Sequence, residues 1–593
     1  MQAFFIGINS KYIHTALGIR CVTEYCRERG LSARSLEATV NEPVLSVLTR
    51  ITEQLEAGGI VAGTPVLIGL DVHIWNRKFV LELGALLRKV VPDSLLLLGG
   101  PEVMFNPKET LASVAFADFI VCGEGEEAVA ALLQNLTRYG KTCPVPRGIA
   151  YRDANDVVAG DGGALVVEDL DTLPFPYPDL EQVVAQHKIV YYEASRGCPF
   201  HCAYCLSGIS RSVRRRSLSR VLADMDRFIQ AGATLIKFVD RTYNLDESYY
   251  LPMMQYLAKV DTGAAFHFEI KADLLSPRVI DFLKTVPKGR FQLEIGVQST
   301  NPEVLKEIGR SDDWEKLKAN VSELRQAGNM HIHADLIAGL PLEDMKSFAR
   351  SFDDVYGLHP HVLQLGFLKV LPGTLMDRAS LKYGLVYMDQ PPYEILSTNY
   401  ISYKEVRFLK TLEEVFNLTA NSGRFSFSLA YLVRMAGQGS AFSFFAGLTE
   451  WYRKKGLAGF GHSGTEVARI LFDFVREAYP DLLATVRELL RLDVLQNFPN
   501  VKPDWLAWRN EKNYETVSDF WRNEEAVRKY LPGYTFKNWR ELHKKYALEE
   551  LLCDPWTGEK ESVFLLINYE EMCLTRIERS AIITKPSVDG MEP

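Results

Sequence analysis

Arg196-Gly197-Cys198-Pro199-Phe200-His201-Cys202-Ala203-Tyr204-Cys205 places three cysteines within eight residues of one short segment. The spacing is Cys-x3-Cys-x2-Cys, and the aromatic residue Tyr204 directly precedes the third thiol. Thiolates are soft ligands that suit iron, so three of them on a tight loop can hold three corners of a cubane [4Fe–4S] cluster. The closest other cysteines are Cys143 and Cys553, so the spacing leaves one iron open to a small molecule.

A disulfide and a zinc site are the alternative explanations of these cysteines. Three thiols are an odd set and the other six cysteines are scattered along the chain, which disfavours a disulfide. Zinc prefers four ligands in a tetrahedron, and His201 could be the fourth. Because His201 adjoins Cys202, the two side chains cannot easily reach the same ion. The pattern therefore favours an open iron–sulfur cluster, with zinc as the alternative.

The cysteine spacing, together with Tyr204, resembles the radical S-adenosylmethionine (SAM) superfamily. The resemblance implies that Cys198, Cys202 and Cys205 hold the cluster and carry the catalytic chemistry. It also implies that SAM chelates the open iron and that Tyr204 leans on the adenine. Reduction of the cluster would then cleave SAM to a 5′-deoxyadenosyl radical, which abstracts hydrogen from an unactivated carbon.

Residues 1–140 alternate between apolar strands and amphipathic helices. The predicted strands are Ala3–Gly7, Ser32–Leu36, Val66–Leu70, Ser94–Leu98 and Asp118–Val121, and helices fall near Ala16–Arg29, Val44–Glu56, Arg77–Val90 and Pro107–Ala115. This alternation predicts an α/β domain with a doubly wound, Rossmann-like parallel sheet. Such sheets bind ligands beyond the carboxyl ends of their strands. No Gly-x-Gly-x-x-Gly follows the first strand, which disfavours an ordinary dinucleotide site.

The order of the parts, a doubly wound domain followed by the cysteine loop, is similar to the cobalamin-binding radical SAM enzymes. The resemblance implies that cobalamin lies on the loops at the strand ends. The candidate contacts are Ser10, His14, Asp71, His73, Trp75, Asn76, Gly99, Gly100, Pro101, Glu102, Gly123, Glu124 and Gly125. A docking module without a cofactor is the alternative for this domain.

A lower axial histidine on the cobalt is one possibility within that resemblance. Asp71-Val72-His73 only partly matches the Asp-x-His-x-x-Gly motif of cobalamin-dependent mutases, because Asn76 stands where glycine belongs. The segment also follows the third strand rather than the first. His73 is therefore interpreted as a loop residue near the nucleotide tail, and His14 is the better candidate if an axial ligand exists.

Residues 141–185 are rich in proline and glycine and predict an extended linker with one small hairpin. In residues 186–380, six strands alternate with helices, at Ile189–Glu193, Leu235–Val239, Ala265–Ile270, Phe291–Gly296, His331–Ile337 and His361–Phe367. Six such units predict a partial (β/α)6 barrel of the TIM type, whose active site lies at the carboxyl ends of the strands. The cysteine loop follows the first of these strands and therefore lies at that rim.

Residues at the other strand ends match SAM-binding motifs of the family in order. Asp240 stands in the place of the Gly-Gly-Glu motif, as the partner of the SAM amine. Glu269 stands where the family holds the ribose or methionyl group. Asp335 replaces the first glycine of the Gly-x-Ile-x-Gly-x-Pro adenine motif. The SAM contacts that the resemblance implies are Tyr204, Asp240, Glu269, Glu294, Gln298, Ile337, Gly339 and Leu340.

Residues 381–593 carry no metal-ligand spacing. The segments with helical apolar spacing are Phe408–Asn417, Ser428–Met435, Phe442–Lys455, Gly464–Ala478 and Asp481–Leu492, and a small strand is predicted near Val563–Asn568. The sequence therefore predicts a mostly α-helical domain of unassigned role. Its many aromatic residues are interpreted as core and lid packing, with base stacking or aromatic substrate recognition as alternatives.

Charge and hydropathy narrow the expected partners. The net charge of −8 gives no general basic field for nucleic acid or an anionic membrane. A local basic cluster, Arg211, Arg214, Arg215, Arg216 and Arg220, is either a solvated helix start or lies near anionic cofactors. No apolar run reaches the ~18 residues of a membrane span, and the first residues lack a signal-peptide pattern. Reduced cluster thiols favour a cytoplasmic protein.

These observations lead us to expect a cobalamin-dependent radical SAM enzyme that methylates an unactivated carbon through methylcobalamin. Rearrangement, cyclisation or redox chemistry without methyl transfer is a second possibility. A radical SAM RNA-modifying enzyme is a third, and a non-enzymatic zinc or iron–sulfur regulatory module is a fourth. The expected partners are a small-molecule or peptide substrate and a one-electron reductase such as a flavodoxin or ferredoxin. No membrane partner is expected, and nucleic acid is disfavoured without being excluded.

Overall fold

The computed structural model describes residues 1–60, 64–153, 158–160, 163–209, 212–498, 501–506, 508, 514–571 and 573–578. The chain divides into two compact units, residues 1–406 and 407–593. The division follows Val406, whereas the sequence predicted a boundary after residue 380. The segment after the barrel stays with the first unit because it pairs with the barrel end: the Val370 amide donates to Tyr393 O and the Ile395 amide to Leu368 O.

A seven-stranded sheet opens the first unit. Its strands are β1 (Gln2–Asn9), β2 (Ala33–Thr39), β3 (Val66–Asp71), β4 (Leu95–Gly99), β5 (Phe119–Val121), β6 (Ile149–Arg152) and β7 (Val158–Ala159), in the order β2-β1-β3-β4-β5-β6-β7. The first five strands are parallel, and the last two are antiparallel. The hairpin predicted in the linker therefore extends the edge of this sheet. The helices are α1 (Leu17–Glu28), α2 (Val44–Ala57), α3 (Arg77–Val90), α4 (Pro107–Ser113) and α5 (Gly125–Tyr139).

Helices cover this sheet on both faces, as its apolar strands require. Seven of the eight residues of β1 are buried. Helices α1 and α5 cover one face through residues such as Ile19 and Leu132, and α2, α3 and α4 cover the other through Val47, Leu83 and Leu111. The predicted doubly wound α/β fold is confirmed. In sheets with the order 2-1-3-4-5, ligands bind at the carboxyl edge between β1 and β3, where the connections leave the two strands in opposite directions.

Six parallel strands form the second sheet of this unit. They are β8 (Val190–Tyr192), β11 (Leu235–Phe238), β12 (Ala265–Ile270), β13 (Phe291–Gln298), β14 (His331–Ala338) and β15 (Val362–Phe367), in the order β15-β14-β13-β12-β11-β8. Edge strands β8 and β15 do not pair with each other in the described chain, so the barrel is partial, as predicted. Two short hairpins accompany it, β9 (Ser195–Arg196) with β10 (Arg214–Arg215) and β16 (Val386–Tyr387) with β17 (Ile395–Ser397). The helices are α6 (Leu180–Ala185), α7 (Leu218–Gln230), α8 (Glu247–Lys259), α9 (Pro277–Lys284), α10 (Pro302–Glu307), α11 (Trp314–Ala327), α12 (Met345–Tyr356) and α13 (Leu375–Arg378).

Side chains of the barrel strands alternate between the helices and the barrel interior. In β13 and β14, every second residue is buried, while the residues between them keep partial exposure. The interior residues are unusually polar and include Lys237, His267, Glu269, Lys271, Glu294, His333 and Asp335. This interior is a polar chamber rather than the apolar filling of a closed barrel.

The second unit is mostly helical, with one small sheet. Its helices are α14 (Tyr403–Leu418), which crosses the boundary, α15 (Ser426–Met435), α16 (Ala441–Lys454), α17 (Gly464–Ala478), α18 (Leu483–Asn497), α19 (Tyr514–Arg522), α20 (Glu524–Tyr530) and α21 (Trp539–Lys545). Strands β18 (Tyr546–Leu551), β19 (Val563–Asn568) and β20 (Cys573–Ile577) form an antiparallel sheet whose centre is the one strand predicted from sequence. Within the described residues, no helix combines the length and apolar character that a bilayer crossing requires.

Gly123 generates the first prediction, because the turn after β5 leaves no room for a side chain. Its φ is +107°, and a Cβ there would lie 2.5 Å from the carbonyl oxygen of Leu165. We expect Gly123→Ala to lower the free energy of unfolding of the cofactor-free protein by about 1 to 3 kcal/mol. Urea unfolding followed by circular dichroism measures the loss.

Gly30→Ala is the matched control for this variant. Gly30 also has a positive φ, +72°, but a Cβ there would meet nothing within 4 Å. The control therefore isolates backbone strain, about 1 kcal/mol, from the collision. Equal losses in the two variants would contradict the proposed collision at Gly123.

Candidate active site between the two parallel sheets

A cavity of about 700 Å³ lies between the carboxyl edge of the first sheet and the rim of the barrel. On the sheet side, it is lined by seven of the predicted cobalamin contacts: Asp71, His73, Gly99, Gly100, Gly123, Glu124 and Gly125. On the barrel side, it is lined by Gly197, Leu206 and Ser207, which flank the cysteines, and by Arg241 after β11. The lining residues include neither the three cysteines nor any of the eight predicted SAM contacts, so the barrel side of the cavity is formed by neighbours of the cysteine loop.

The sheet side of this cavity suits a large, flat ligand. Four of its lining residues are glycines at strand ends, which leave the backbone bare. A fifth, Gly18 on α1, has nothing within 4 Å of the position of a Cβ. Apolar side chains, among them Ile19, Val22 and Leu97, form the remaining wall. Bare backbone and apolar surface together fit the face and edge of a corrin ring.

Six predicted cobalamin contacts do not line the cavity: Ser10, His14, Trp75, Asn76, Pro101 and Glu102. Asn76 is buried and donates to Ile8 O at 2.9 Å, while its oxygen accepts the His73 amide at 2.7 Å. Asn76 thus ties the loop after β3 to the end of β1, at the position where the mutase motif has glycine. Trp75 stacks on His73 with ring centres 4.3 Å apart and is half exposed.

The two candidate axial histidines occupy different surroundings. His14 Nδ1 lies 2.6 Å from the Tyr191 hydroxyl, and burial lowers the pKa of His14. His73 lines the cavity, and its Nε2 lies 3.6 Å from Asp71 Oδ2. The cavity wall therefore carries His73 and lacks His14, although the sequence favoured His14. Ligation of cobalt by either imidazole stays a prediction.

Contacts from several parts of the barrel rim hold the cysteine loop. The Ala203 amide donates to Ile308 O at 2.8 Å, and the Met376 amide donates to Ala203 O at 2.8 Å. Cys198 is buried, and its Sγ lies 3.7 Å from Thr242 Oγ1. All nine cysteines are free thiols. No three His, Cys, Asp or Glu side chains in the described chain are placed to hold a single metal ion.

Arg310 contacts the cysteine loop, although the sequence did not predict it as a site residue. Its Nη1 lies 3.9 Å from Cys202 Sγ and 3.5 Å from the Tyr204 hydroxyl, and it also donates to Gly296 O. Burial raises the pKa of the Cys202 thiol, and the positive charge of Arg310 opposes this. Arg310 lies in the turn after α10, outside every motif used above, so no local signal marked it.

A buried ion network behind Arg310 fixes its position. Asp312 accepts from Arg310 and also from Lys271, and Lys271 Nζ lies 2.8 Å from Asp273 Oδ2. Lys271 in turn receives support from Asn244, which accepts its amide at 2.9 Å. The ends of β11 and β12 and the turn after α10 are therefore cross-linked beside the cysteine loop.

Asp240 is buried and already engaged within the chain. Its Oδ2 accepts the Ala194 amide at 3.0 Å and its Oδ1 accepts the Ser195 hydroxyl at 2.5 Å. Burial raises the pKa of Asp240 to about 7, against these hydrogen bonds. The carboxyl group thus holds the strand that leads into the cysteine loop. Its predicted contact with the SAM amine stays a prediction.

Three carboxyl groups at predicted SAM positions face the barrel chamber. Glu294 Oε2 lies 3.0 Å from His267 Nε2, and this contact lowers the pKa of Glu294. Burial, together with the charge of Glu294, raises the pKa of Glu269 to about 7 and that of Asp335 to about 8. The chain therefore compensates the charge of Glu294 but compensates the charged forms of Glu269 and Asp335 poorly.

Two buried acceptors in this chamber lack hydrogen-bond partners within the described residues. They are Asp335 Oδ1 and Gln298 Oε1. Buried acceptors normally find a donor, so these atoms suit a ligand that carries ammonium or hydroxyl groups. SAM carries both kinds of donor, and the donor set of the chamber therefore fits it.

The predicted adenine motif lies at the end of β14. Ile337 belongs to the row of β14 residues that faces the interior, while Leu340 is fully buried. Gly339 has a φ of +88°, and a Cβ there would lie 2.1 Å from the Ile395 side chain of β17. Glycine is needed here because β17 packs directly against this turn.

Four arginines of the basic cluster are engaged within the chain; Arg211 lies outside the described residues. Arg214 pairs with Glu124 at 2.5 Å, Arg215 with Asp246 at 2.7 Å and Arg220 with Asp224 at 3.1 Å. Arg216 is buried and donates to backbone carbonyls. These four side chains therefore do not form a free basic face.

Models of three protein families match the chain. The B12 binding domain matches residues 5–133, the radical SAM superfamily matches residues 192–355, and a family described as a protein of unknown function (DUF4080) matches residues 381–564. The first two matches confirm the predicted cofactors: cobalamin, SAM and a [4Fe–4S] cluster. The third coincides with the domain that the sequence left unassigned.

One curated relative is the cobalamin-dependent radical SAM methyltransferase TokK of Streptomyces tokunonensis. It is 25% identical over 419 residues, which cover 66% of this chain and 59% of TokK. The chain thus spans about three fifths of the length of that relative.

Two solved structures share the fold. The cobalamin-dependent SAM radical enzyme OxsB, with aqua-cobalamin and SAM bound, aligns with a TM-score of 0.56 at 16% identity over 86% of this chain and 82% of OxsB. The radical SAM methyltransferase TsrM from Kitasatospora setae, with tryptophan and a SAM analogue bound, aligns with a TM-score of 0.54 at 14% identity over 66% of this chain and 80% of TsrM. The family matches therefore show that the chain combines a B12 binding domain and a radical SAM domain with a C-terminal domain of unknown function.

Proposed function

We propose that this chain is a methyltransferase that replaces a hydrogen on an unactivated carbon with a methyl group from SAM. The observation that carries the proposal is the one cavity that both the glycine loops of the first sheet and the residues flanking the cysteines line. Transfer between two cofactors needs their reactive atoms on one dry space. The similarity to TokK, which is described as a methyltransferase, supports this outcome.

Different residues of the chain would bind the cluster and cobalamin. Cys198, Cys202 and Cys205 would hold the cluster, and the bare backbone around Gly99 and Gly123 would hold cobalamin. When bound, the cofactors supply a carbon radical that abstracts hydrogen and a methyl group that replaces it. The chain would orient these cofactors and exclude water from them.

The barrel chamber would orient SAM through its acidic groups. Glu269 and Asp335 would accept from the ammonium and hydroxyl groups of SAM, and Gln298 Oε1 would take a further hydroxyl. A cationic ligand would favour the charged forms of the two acids, which burial alone disfavours. Tyr204, held by Arg310, would keep the adenine side of the chamber closed.

Arg310 would stabilise the reduced cluster. A hydrogen bond to a ligand sulfur and a nearby positive charge both favour the state with one more electron. The ion network with Asp312 and Lys271 would keep Arg310 in place while the cluster cycles.

The expected partners are a small-molecule or peptide substrate and a one-electron reductase. Each turnover consumes one substrate, two SAM and two electrons, and forms methylated product, 5′-deoxyadenosine, methionine and S-adenosylhomocysteine. The internal pairing of Arg214, Arg215 and Arg220 supports a small substrate over RNA. The need for reduced cluster thiols supports a cytoplasmic setting.

A labelling experiment tests the proposed reaction. Anaerobically reconstituted enzyme with cobalamin, deuteriomethyl SAM and a reductant is incubated with a small-molecule extract, and products are followed by mass spectrometry. We expect a compound in which a deuteriomethyl group replaces hydrogen, together with equal amounts of 5′-deoxyadenosine and S-adenosylhomocysteine. Product without label would favour rearrangement, cyclisation or redox chemistry instead.

Cys202→Ala and Cys573→Ala are the matched variants for that experiment. Loss of Cys202 should abolish cluster iron and 5′-deoxyadenosine formation, because two thiolates cannot retain the cluster. Cys573 is a free thiol outside the loop, so Cys573→Ala should keep both. Normal iron content in Cys202→Ala would contradict the assignment of the cluster.

Replacement of Arg310 gives the next prediction. We expect Arg310→Gln to lower the midpoint potential of the cluster by roughly 50 to 150 mV, since a unit charge about 4 Å from a ligand sulfur is removed. Redox titration followed by electron paramagnetic resonance measures the potential. The control is Arg278→Gln, a surface arginine whose side chain is 74% exposed. An unchanged potential in Arg310→Gln would remove Arg310 from this role.

Asp335 generates a prediction on pH dependence. Burial raises its pKa from 3.8 to about 8 in the folded protein, so the folded state holds this proton more tightly than the unfolded state. The contribution of this proton to the free energy of unfolding is fully present below pH 3.8 and is lost as the pH rises from 3.8 to about 8. We therefore expect Asp335→Asn to stabilise the cofactor-free protein at pH 8.5, by roughly 2 to 4 kcal/mol, and to change little near pH 4.

Urea unfolding at both pH values measures this difference. Asp281→Asn is the control, because the Asp281 side chain is 78% exposed. If Asp335→Asn is no more stable than the wild type at pH 8.5, Asp335 is already compensated in the cofactor-free chamber.

A further inference from the structure

Five charged side chains link the N-terminal sheet domain to the strand before the cysteines. They are Glu124, Glu126, Glu193, Arg196 and Arg214, and together they are called the Arg196 network. Arg196 Nη2 donates to Glu126 Oε1 at 2.6 Å, its Nη1 to Glu124 Oε2 at 3.0 Å and its Nε to Glu193 Oε2 at 2.7 Å. Arg214 Nη2 donates to Glu124 Oε1 at 2.5 Å.

Three side chains of the Arg196 network are largely removed from water, while those of Glu124 and Glu193 keep 21% and 23% exposure. Glu126 is 3% exposed, and the side chains of Arg196 and Arg214 are 12% and 9% exposed. Burial disfavours the charged form of Glu124, yet Arg214 and Arg196 hold its pKa below the ordinary value. Removing one partner of such a pair leaves an uncompensated buried charge. The free energy of unfolding then falls far more than when one partner of an exposed pair is removed.

The ends of the Arg196 network coincide with the two walls of the cavity. Glu124 and Glu126 begin α5, directly beside Gly123 and Gly125. Arg196 lies in β9, two residues before Cys198. The network thus connects the turn at residues 123–125 of one wall, here called the glycine loop, to residues 196–205 of the other, here called the cysteine segment. The connection is made by side chains.

Arg196 directs four hydrogen bonds of its guanidinium to three carboxylates of the chain. Of its five N–H groups, few remain to bind a ligand. Its planar fork fixes both the distance and the angle of the carboxylates it joins. These properties are those of a residue that acts by placing others.

We propose that Arg196 is a positioning residue that sets the separation of the cluster from cobalamin by locking the cysteine segment to the glycine loop. The inference rests on the proposed function, because only an enzyme that uses both cofactors needs that separation. Methyl donation from SAM to cobalamin depends on the separation, whereas reductive cleavage of SAM depends on the cluster alone. Loss of Arg196 therefore changes the division of SAM between the two reactions.

The test uses the reconstituted full chain with SAM, hydroxocobalamin and dithionite, without any substrate. S-adenosylhomocysteine reports methyl donation, and 5′-deoxyadenosine reports reductive cleavage. We expect the ratio of the two to fall on the order of 10- to 100-fold in Arg196→Gln, since a displacement of about 1 Å has effects of that size. Arg196→Lys keeps the charge and loses the fork, so it should fall between Arg196→Gln and the wild type.

Arg215→Gln is the matched control. Arg215 neighbours Arg214 in β10, but it pairs with Asp246 of the barrel and does not reach the N-terminal domain. The control should keep the wild-type ratio. Glu126→Gln removes a partner of Arg196 while preserving shape, so it supplies the same test if Arg196→Gln does not fold.

A second measurement does not depend on turnover. With both the cluster and cobalamin in paramagnetic states, the dipolar coupling between their spins gives their separation by electron paramagnetic resonance. We expect one narrow separation in the wild type and a broader or shifted distribution in Arg196→Gln and Glu126→Gln. An unchanged distribution in both variants would overturn the inference.

The two measurements separate failure of the inference from failure of the proposed function. A wild type that forms 5′-deoxyadenosine but no S-adenosylhomocysteine would refute methyl donation, while the spin separation would still judge Arg196. A wild type that forms both, with an unchanged ratio in every Arg196 variant, would refute the positioning role alone.

Discussion

Parallel strands deliver all their connecting loops at one edge, and the first unit of this chain uses that constraint twice. The doubly wound sheet presents its glycine loops at its carboxyl edge, and the partial barrel presents the cysteine loop at its own. The two edges line one cavity, so predicted cobalamin contacts and the residues flanking the cysteines face the same space. The proposed function depends on this meeting of edges. Without it, the cysteine loop and the B12 binding domain would be separate binding modules.

Charge is buried where the cofactor sites meet the chain. Asp240 and Arg310 support the cysteine loop, Asp335 faces the barrel chamber, and Arg196 joins the two walls. Each of these groups carries a desolvation cost that apolar residues of similar size would avoid. The groups facing the chamber differ from the others because two of their acceptors lack partners in the described chain. That difference distinguishes the residues that hold the scaffold from those that we propose contact SAM.

Local patterns predicted the fold and the cluster, whereas long-range pairing escaped prediction. The cysteine spacing and the alternation of strands and helices act over a few residues, so they can be read directly. The contact between Arg196 and Glu126 joins residues 70 positions apart, and that between Arg310 and Cys202 spans 108. The sequence favours His14 for its place in the first loop, whereas in the structure His14 contacts the Tyr191 hydroxyl and does not line the cavity. Such contacts depend on how elements distant in sequence pack together, which no local spacing encodes.

Docking by ion pairs has a consequence that docking by apolar packing would not have. Apolar surfaces tolerate small sliding movements because the interaction has no direction, whereas a guanidinium fork loses its hydrogen bonds when a carboxylate shifts. An enzyme that directs one SAM to reductive cleavage and another to methyl donation needs the cobalt at a fixed distance from the same site. The Arg196 network would meet that need with an arginine side chain that is 12% exposed and three carboxylate partners. Burying those charges lowers the free energy of unfolding. The directional hydrogen bonds of the network in turn restrict changes in the separation of the two cavity walls.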